Sequence, residues 1–103
     1  MTRRLYDLAY GRAGDKGNIA NISVIARSPE AFQELRVKLT GARVKAYLGD
    51  LVKGDVVRYE LENLEAFNFV LYDALDGGAT RSLRADGLGK NLAGLLLNME
   101  WDS

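Results

Sequence analysis

The first third of the chain shows hydrophobic residues at every second position, a spacing that is typical of strands. Residues 4–10 form the first predicted strand, and residues 19–27 form the second. The apolar side of the first strand would carry Tyr6, Leu8 and Tyr10. The second strand would turn Ile22, Val24 and Ala26 to the core, and Asn21 and Ser23 to the other side. The two strands would pair antiparallel across a long loop.

The apolar residues that come next follow helical spacing. Ser28 precedes Pro29, and a serine N-cap followed by proline predicts that a helix begins here. Thr40 looks like the cap of a second helical segment, which Gly49 would end. The apolar residues of these two segments are Phe32, Leu35, Leu39, Val44, Tyr47, Leu48 and Leu51.

The second half predicts two further strands and two further helices. A strand over residues 55–62 would carry Val57, Tyr59 and Leu61 on its apolar side. Asn63 would cap a helix over residues 64–75 with these residues buried: Leu64, Phe67, Leu71, Ala74 and Leu75. A short strand over residues 79–85 follows, and Asp86 would cap the last helix. The stripe of that helix is Leu88, Leu92, Leu95, Leu96 and Met99.

This order of elements favours an α+β fold. We expect a ferredoxin-like two-layer sandwich, with a four-stranded mixed sheet and the helices on one face. A chain of 103 residues supports one hydrophobic core, so residues 1–103 are expected to form a single domain.

Composition excludes several kinds of chemistry. The chain has no histidine and no cysteine, so Ser-His-Asp and Cys-His catalysis are excluded within it, and no zinc, haem or iron–sulfur site is expected. We predict no cofactor and no metal. Fourteen basic and fourteen acidic residues balance, which argues against a nucleic-acid partner. No signal-like or membrane-spanning run is evident, so we expect a cytoplasmic protein with no membrane partner.

The segment from Gly11 to Asn18 is the first candidate for chemistry. Its glycines have the spacing G-x-x-G-x-x-G, which fits neither the dinucleotide fingerprint nor Walker A. Arg12 and Lys16 could hold an anion, with these residues as directional partners: Asp15, Asn18 and Asn21. The alternative is an ordinary tight loop between strands.

Three further features invite a functional interpretation. Arg81 and Ser82 lie in the glycine-rich stretch 76–90, where a guanidinium beside hydroxyls suits a carboxylate; the alternative is an edge strand guarded by charges. Asn68 lies one position off the predicted buried helix face, where it would make a structural hydrogen bond or contact a ligand. Trp101 would anchor an interface, or the C-terminal helix would simply be core.

Three ordered stretches, residues 14–27, residues 58–71 and residues 75–84, resemble a known domain, as do the residues that follow them: Asp86, Gly89, Lys90 and the leucine-rich end. They are similar to the C-terminal domain of the AtuA family, the acyclic terpene utilisation proteins. Asp76 departs from the glycine expected there.

The resemblance implies a ferredoxin-like domain, which in longer relatives follows a large N-terminal domain. It also implies a setting in the breakdown of acyclic terpenes or related acids through CoA thioesters. It transfers no catalytic residue. It does mark motif positions as candidates for ligand binding: Asp15, Lys16, Asn18, Asn21, Asn68, Arg81 and Ser82.

Several functional hypotheses follow, and whether the chain is an enzyme stays open. The first is an accessory domain or small subunit, which joins a larger AtuA-type chain and contributes to an acyl-CoA or carboxylate site at the interface. The alternative is a self-sufficient lyase or hydratase with Asp15 as base and Lys16 or Arg81 as electrophile. A plain oligomerisation module is the third. We expect a homo-oligomer, and we expect the segments around Asp15 and Arg81 to meet in one polar patch.

Overall fold

The computed structural model describes residues 3–16, 19–74 and 88–101, with the side chains of residues 15, 16 and 88–91 excepted. Its strands are β1 (Arg3–Arg4), β2 (Ala9–Lys16), β3 (Ile19–Ala26), β4 (Val56–Leu61), β5 (Ala66–Leu71) and β6 (Glu100–Trp101). Its helices are α1 (Pro29–Lys38), α2 (Gly41–Leu48) and α3 (Leu88–Leu97). The strand predicted over residues 79–85 and the cap predicted at Asp86 lie outside the described residues. No helix in the described ranges is long and apolar enough to cross a membrane.

Four of these strands form one sheet in the order β2-β3-β5-β4. The three helices pack on one face of it, α3 against β2, α1 against β3 and α2 against β4. The predicted α+β class, with four strands and helices on one face, is confirmed. All pairings within this sheet, among the residues that the structure describes, are antiparallel rather than mixed.

The first hairpin differs from its prediction. The strand predicted over residues 4–10 begins instead as a 3₁₀ turn, Leu5–Asp7, and β2 then runs straight through Gly11 and Gly14. Lys16 pairs with Ile19, so the expected long loop is wrong. Packing explains the first glycine, because a Cβ on Gly11 would lie 3.1 Å from Leu97 Cδ1. Gly11 therefore lets α3 approach the sheet closely.

The helix predicted over residues 64–75 is also wrong. Glu62–Leu64 form a 3₁₀ turn, Glu65 takes a left-handed conformation with φ 50°, and β5 follows. Phe67 and Leu71 are four residues apart, which suits a helix, but Phe69 between them is buried too, which suits only a strand. Leu64, predicted to be buried, is 67% exposed.

Strand β4 presents its predicted apolar side away from the helices. Tyr59 is 50% exposed and Leu61 is 39% exposed on that side. Arg58 takes the opposite side, where its guanidinium lies 5.0 Å from the Phe67 ring centroid and donates to the carbonyls of Arg36 and Leu39 at 2.9 Å. These bonds satisfy carbonyls at the end of α1, which explains why an arginine occupies the core side of the strand.

The helix starts after β3 are confirmed in detail. Ser28 Oγ accepts from the Ala31 amide at 3.0 Å, and Thr40 Oγ1 accepts from the Arg43 amide at 3.1 Å. Each bond satisfies an amide that the first turn of a helix leaves free. The buried side chains of these segments include Phe32, Leu35, Leu39, Val44 and Leu48.

The two ends of the described chain meet in a separate two-stranded pairing of β1 with β6. Trp101 is fully buried there, so it is a core residue and not an exposed interface anchor. Its Nε1 donates to Glu34 Oε2 at 2.6 Å, and the Arg43 guanidinium lies 4.1 Å from the centroid of its ring. On α3, Leu92 and Leu96 are buried as predicted, whereas Leu95 is 40% exposed.

Candidate functional site: the outer face of the sheet

The face of the sheet that points away from the helices, here called the outer face, gathers the exposed large apolar side chains of the strands. Strand register defines its rows. One row runs across the four strands through Tyr10, Ile25, Ala66 and Leu61. Tyr10 is 54% exposed, and Ile19, Tyr59 and Leu61 are exposed as well. An apolar, solvent-facing sheet surface of this kind is a candidate for binding.

A polar row crosses the middle of the same face. It consists of Arg12, Ser23, Asn68 and Tyr59, one residue from each strand. Ser23 Oγ donates to Asn68 Oδ1 at 3.4 Å, a long bond that leaves the Asn68 amide nitrogen to donate elsewhere. Arg12 is exposed at the β2 edge. The polar row therefore combines a guanidinium, an amide and two hydroxyls, which are the donors that a carboxylate or phosphate accepts from.

The structure brings two of the predicted site residues onto this face. Asn21 is exposed in the row next to the polar row, opposite Val70, and Asn68 is half-buried within the polar row. Asn68 lies on a strand and not on the predicted helix. Its position off the buried side follows from strand alternation.

The side chains of the remaining predicted site residues are outside the described part of the chain. Asp15 and Lys16 occupy the end of β2, opposite Ala20 and Ile19, and only their backbone is described. Asn18, Arg81 and Ser82 lie outside the described residues. The meeting of the Asp15 and Arg81 segments stays a prediction, as does catalysis through Asp15 with Lys16 or Arg81.

A stack of one arginine and two tyrosines stands at the β2 edge, and sequence reasoning missed it. The Arg27 guanidinium lies 4.0 Å from the Tyr10 ring centroid and 4.8 Å from that of Tyr6. Arg27 Nε donates to the Tyr6 carbonyl at 2.9 Å, which holds the stack in place. Extending the alternation of β3 by one residue would have placed Arg27 on the outer side, beside Tyr10.

A surface hollow lies at the opposite edge of the sheet, at the turn that joins β4 to β5. Its volume is about 480 Å³, and it is lined by residues Glu60 to Leu64. The hollow combines two leucines with two glutamates. Within the described residues, no group of three or more acidic, histidine or cysteine side chains is arranged to hold a metal ion.

The comparison with curated proteins and the comparison with solved structures gave no match. A model of the AtuA ferredoxin-like domain matches residues 3–102. This match covers nearly the whole chain, and it agrees with the antiparallel four-stranded sheet and its one-sided layer of helices. The expected ferredoxin-like fold is thereby confirmed, and the chain belongs to the AtuA ferredoxin-like domain family.

Proposed function

We propose that the chain is an accessory domain or small subunit of an AtuA-type protein, and that its outer face works at an interface between protein chains. In that assembly the polar row contributes to the binding of an anionic ligand, an acyl-CoA or a carboxylic acid, in terpenoid-acid or acyl-CoA breakdown. A larger AtuA-type chain is the second component.

The observation that carries this proposal is the outer face itself, where apolar side chains such as Tyr10, Leu61 and Val70 flank a row of polar donors. The three helices that the structure describes lie on the other side of the sheet, so they do not close a pocket over these donors. A binding site for a small molecule usually encloses most of its ligand, which a sheet surface alone does not do. A second chain laid over this face would supply the missing wall.

The chemistry of the polar row supports an anion rather than an apolar ligand alone. Arg12 supplies a planar fork of donors at the edge, and Asn68 supplies an amide at the centre. The apolar residues on either side would accept the hydrocarbon part of an acyl group. This combination favours a ligand with a carboxylate or phosphate at one end and an aliphatic portion at the other.

The first test is co-expression with a larger AtuA-type chain, followed by affinity purification. We expect the two chains to copurify, and we expect Tyr59→Glu to prevent this by placing a negative charge on the outer face, where Tyr59 ends the polar row. Val37→Glu is the matched control, because Val37 is 74% exposed on the helical side. A larger chain that never copurifies with the wild type would contradict the accessory role.

The second test is thermal denaturation of the copurified assembly with octanoate, acetyl-CoA or inorganic phosphate. A ligand that binds the folded state raises the melting temperature. We expect Arg12→Gln and Asn68→Leu to remove the shift, and Arg36→Gln, which removes an exposed cation from α1, to keep it. A shift that survives both outer-face variants would place the ligand elsewhere.

A further inference from the structure

We infer that the outer face is covered by a second copy of this chain, related to the first by a two-fold axis that runs parallel to the strands between the two sheets. The inference rests on the proposed function at one point: it identifies which chain faces the polar row. A larger AtuA-type chain would then join this dimer, and the Arg12 guanidinium, which donates in its own plane, would still reach an anionic ligand at the edge of the interface.

The symmetry places each row of the outer face over the same row of the partner, in reverse order. Strand β2 of one copy lies over β4 of the other, and β3 lies over β5, because the sheet order is β2-β3-β5-β4. In the polar row, Arg12 of each copy therefore faces the partner's Tyr59, so this contact is made twice. A guanidinium over a tyrosine ring is a favourable pairing at a desolvated contact.

The centre of the polar row is complementary to itself in the same way. Ser23 faces the partner's Asn68, and Asn68 faces the partner's Ser23. The intramolecular bond between these side chains is long at 3.4 Å and therefore weak, so that little is lost when either side chain bonds to the partner copy instead. Four polar groups at the centre of the contact would fix its register.

The two edges of the face are complementary in shape and charge. The stack of Tyr6, Arg27 and Tyr10 rises at the β2 edge, in the row that ends at Leu61 on β4. The dimer axis brings this stack to the partner's hollow of about 480 Å³, whose lining includes Leu61, Leu64 and Glu62. An aromatic and cationic knob thus meets an apolar and acidic hollow, and symmetry makes the contact twice.

Charge also selects this axis over the other face-to-face arrangement. Arg12 and Arg27 belong to the β2–β3 half of the sheet, whereas Glu62 and Glu65 belong to the β4–β5 turn. The Ala26 amide donates to the Glu65 carbonyl at 2.9 Å, so Arg27 and this turn share one end of the sheet. An axis perpendicular to the strands would lay β2 over β2 and gather the arginines of both copies at one edge. The axis parallel to the strands instead sets arginines against glutamates.

The mass in solution is the first measurement. Light scattering should give twice the 11.4 kDa of one chain at concentrations of tens of micromolar. Tyr59→Glu should weaken the dimer at least about 30-fold, since a tyrosine that packs against an arginine is a typical hot spot, and here the contact is made twice. Val37→Glu should leave the dimer unchanged, and circular dichroism should show that both variants are folded. A wild-type monomer at these concentrations would overturn the inference.

Chemical cross-linking determines the axis. The chain has no cysteine, so single cysteines can be introduced cleanly. Facing sheets lie about 10 Å apart, and strands in a sheet about 4.8 Å apart, so a linker of about 10 Å joins facing residues but not the two ends of one row. When Arg12→Cys and Tyr59→Cys proteins are mixed, we expect the cross-link between the two different variants to dominate. Predominant linking of Arg12→Cys to itself would overturn the proposed axis.

These outcomes separate the inference from the proposed function. If the wild type is a monomer, yet a larger AtuA-type chain binds it and Tyr59→Glu abolishes that binding, the occupant of the outer face is the larger chain. The inference is then wrong and the proposed function stands. If the dimer forms as described but no larger chain copurifies with it, the inference stands and the accessory role fails.

Discussion

The carboxylate of Glu34 connects three separate parts of the chain. Arg3 Nη2 donates to it at 2.8 Å and Trp101 Nε1 at 2.6 Å, and Lys38 Nζ lies 3.9 Å away. The bonds from Arg3 and Trp101 favour the charged carboxylate and hold the pKa of Glu34 below its usual value of 4.5, although partial burial opposes them. Glu34 thus fastens α1 to both terminal strands.

This carboxylate makes stability dependent on pH. Because the pKa of Glu34 is lower in the folded than in the unfolded chain, its contribution is complete above pH 4.5 and disappears as the pH falls through the folded value. We expect Glu34→Gln to reduce the free energy of unfolding by about 1–3 kcal/mol at pH 7, and by less at pH 3. Urea denaturation at both values measures this.

The matched control for this prediction is Glu30→Gln, on the exposed first turn of the same helix. It should change the free energy of unfolding by less than about 0.5 kcal/mol at pH 7. Equal losses for the two variants, or a loss at Glu34→Gln that is the same at pH 3 as at pH 7, would contradict the assigned role of the carboxylate.

Two glycines next to or within helices differ in how tightly they are packed. A Cβ on Gly54, between α2 and β4, would lie 2.7 Å from the Tyr72 carbonyl oxygen, a backbone atom that cannot move away cheaply. A Cβ on Gly94, in the middle of α3, would have no atom within 4 Å. Packing therefore requires the first glycine and not the second.

These two positions predict opposite effects of the same substitution. Gly54→Ala should lower the free energy of unfolding by about 1–3 kcal/mol, because the added methyl group overpacks against the backbone. Gly94→Ala should raise it by about 0.5–1 kcal/mol, since alanine is the better helix former. Urea denaturation of both proteins is the measurement, and a loss of stability at Gly94→Ala would show that its surroundings are tighter than described.

Strand β5 shows where hydrophobic periodicity fails to distinguish a strand from a helix. Phe67, Asn68, Phe69, Val70 and Leu71 suit a buried strand as well as a helix, because short apolar runs carry both periods. The strand forms because β3 and β4 are available on either side to pair with it. The pairing with β3 joins residues more than 40 positions apart, such as Ser23 and Asn68, and no local signal encodes it.

The strands at the two ends of the described chain, β1 and β6, pair with each other. The pairing of β1 with β6, together with the bond from the Leu5 amide to the Met99 carbonyl at 2.9 Å, brings the first and last described residues together. Trp101 is the largest fully buried side chain at this junction. Its packing is therefore expected to stabilise the fold as a whole.

Substitution of Trp101 tests this. Trp101→Ala should cost about 3–5 kcal/mol in the free energy of unfolding, and Trp101→Phe should cost less because it refills most of the volume. Hydrogen exchange supplies the second readout, since the Leu5 amide should exchange faster in Trp101→Ala than in the wild type. Unchanged protection of that amide would mean that the ends are held together by other contacts.

The sequence by itself determined the features that depend on near neighbours. The caps at Ser28 and Thr40, the alternation of β3 and the α+β class were all predicted, because a cap or a strand period is set within a few residues. The same holds for the family, whose ordered motifs are a property of the sequence.

Only the tertiary structure decided how these parts face one another. It continued β2 through Gly11, because α3 needs that space, and it turned Tyr59 outward, because Arg58 binds the end of α1 on the inner side. It also set Asn21 and Asn68 on one face with the missed stack of Arg27, Tyr6 and Tyr10 at its edge. These arrangements depend on pairing between distant segments, whose free energy is gained only when the whole sheet and its helices come together.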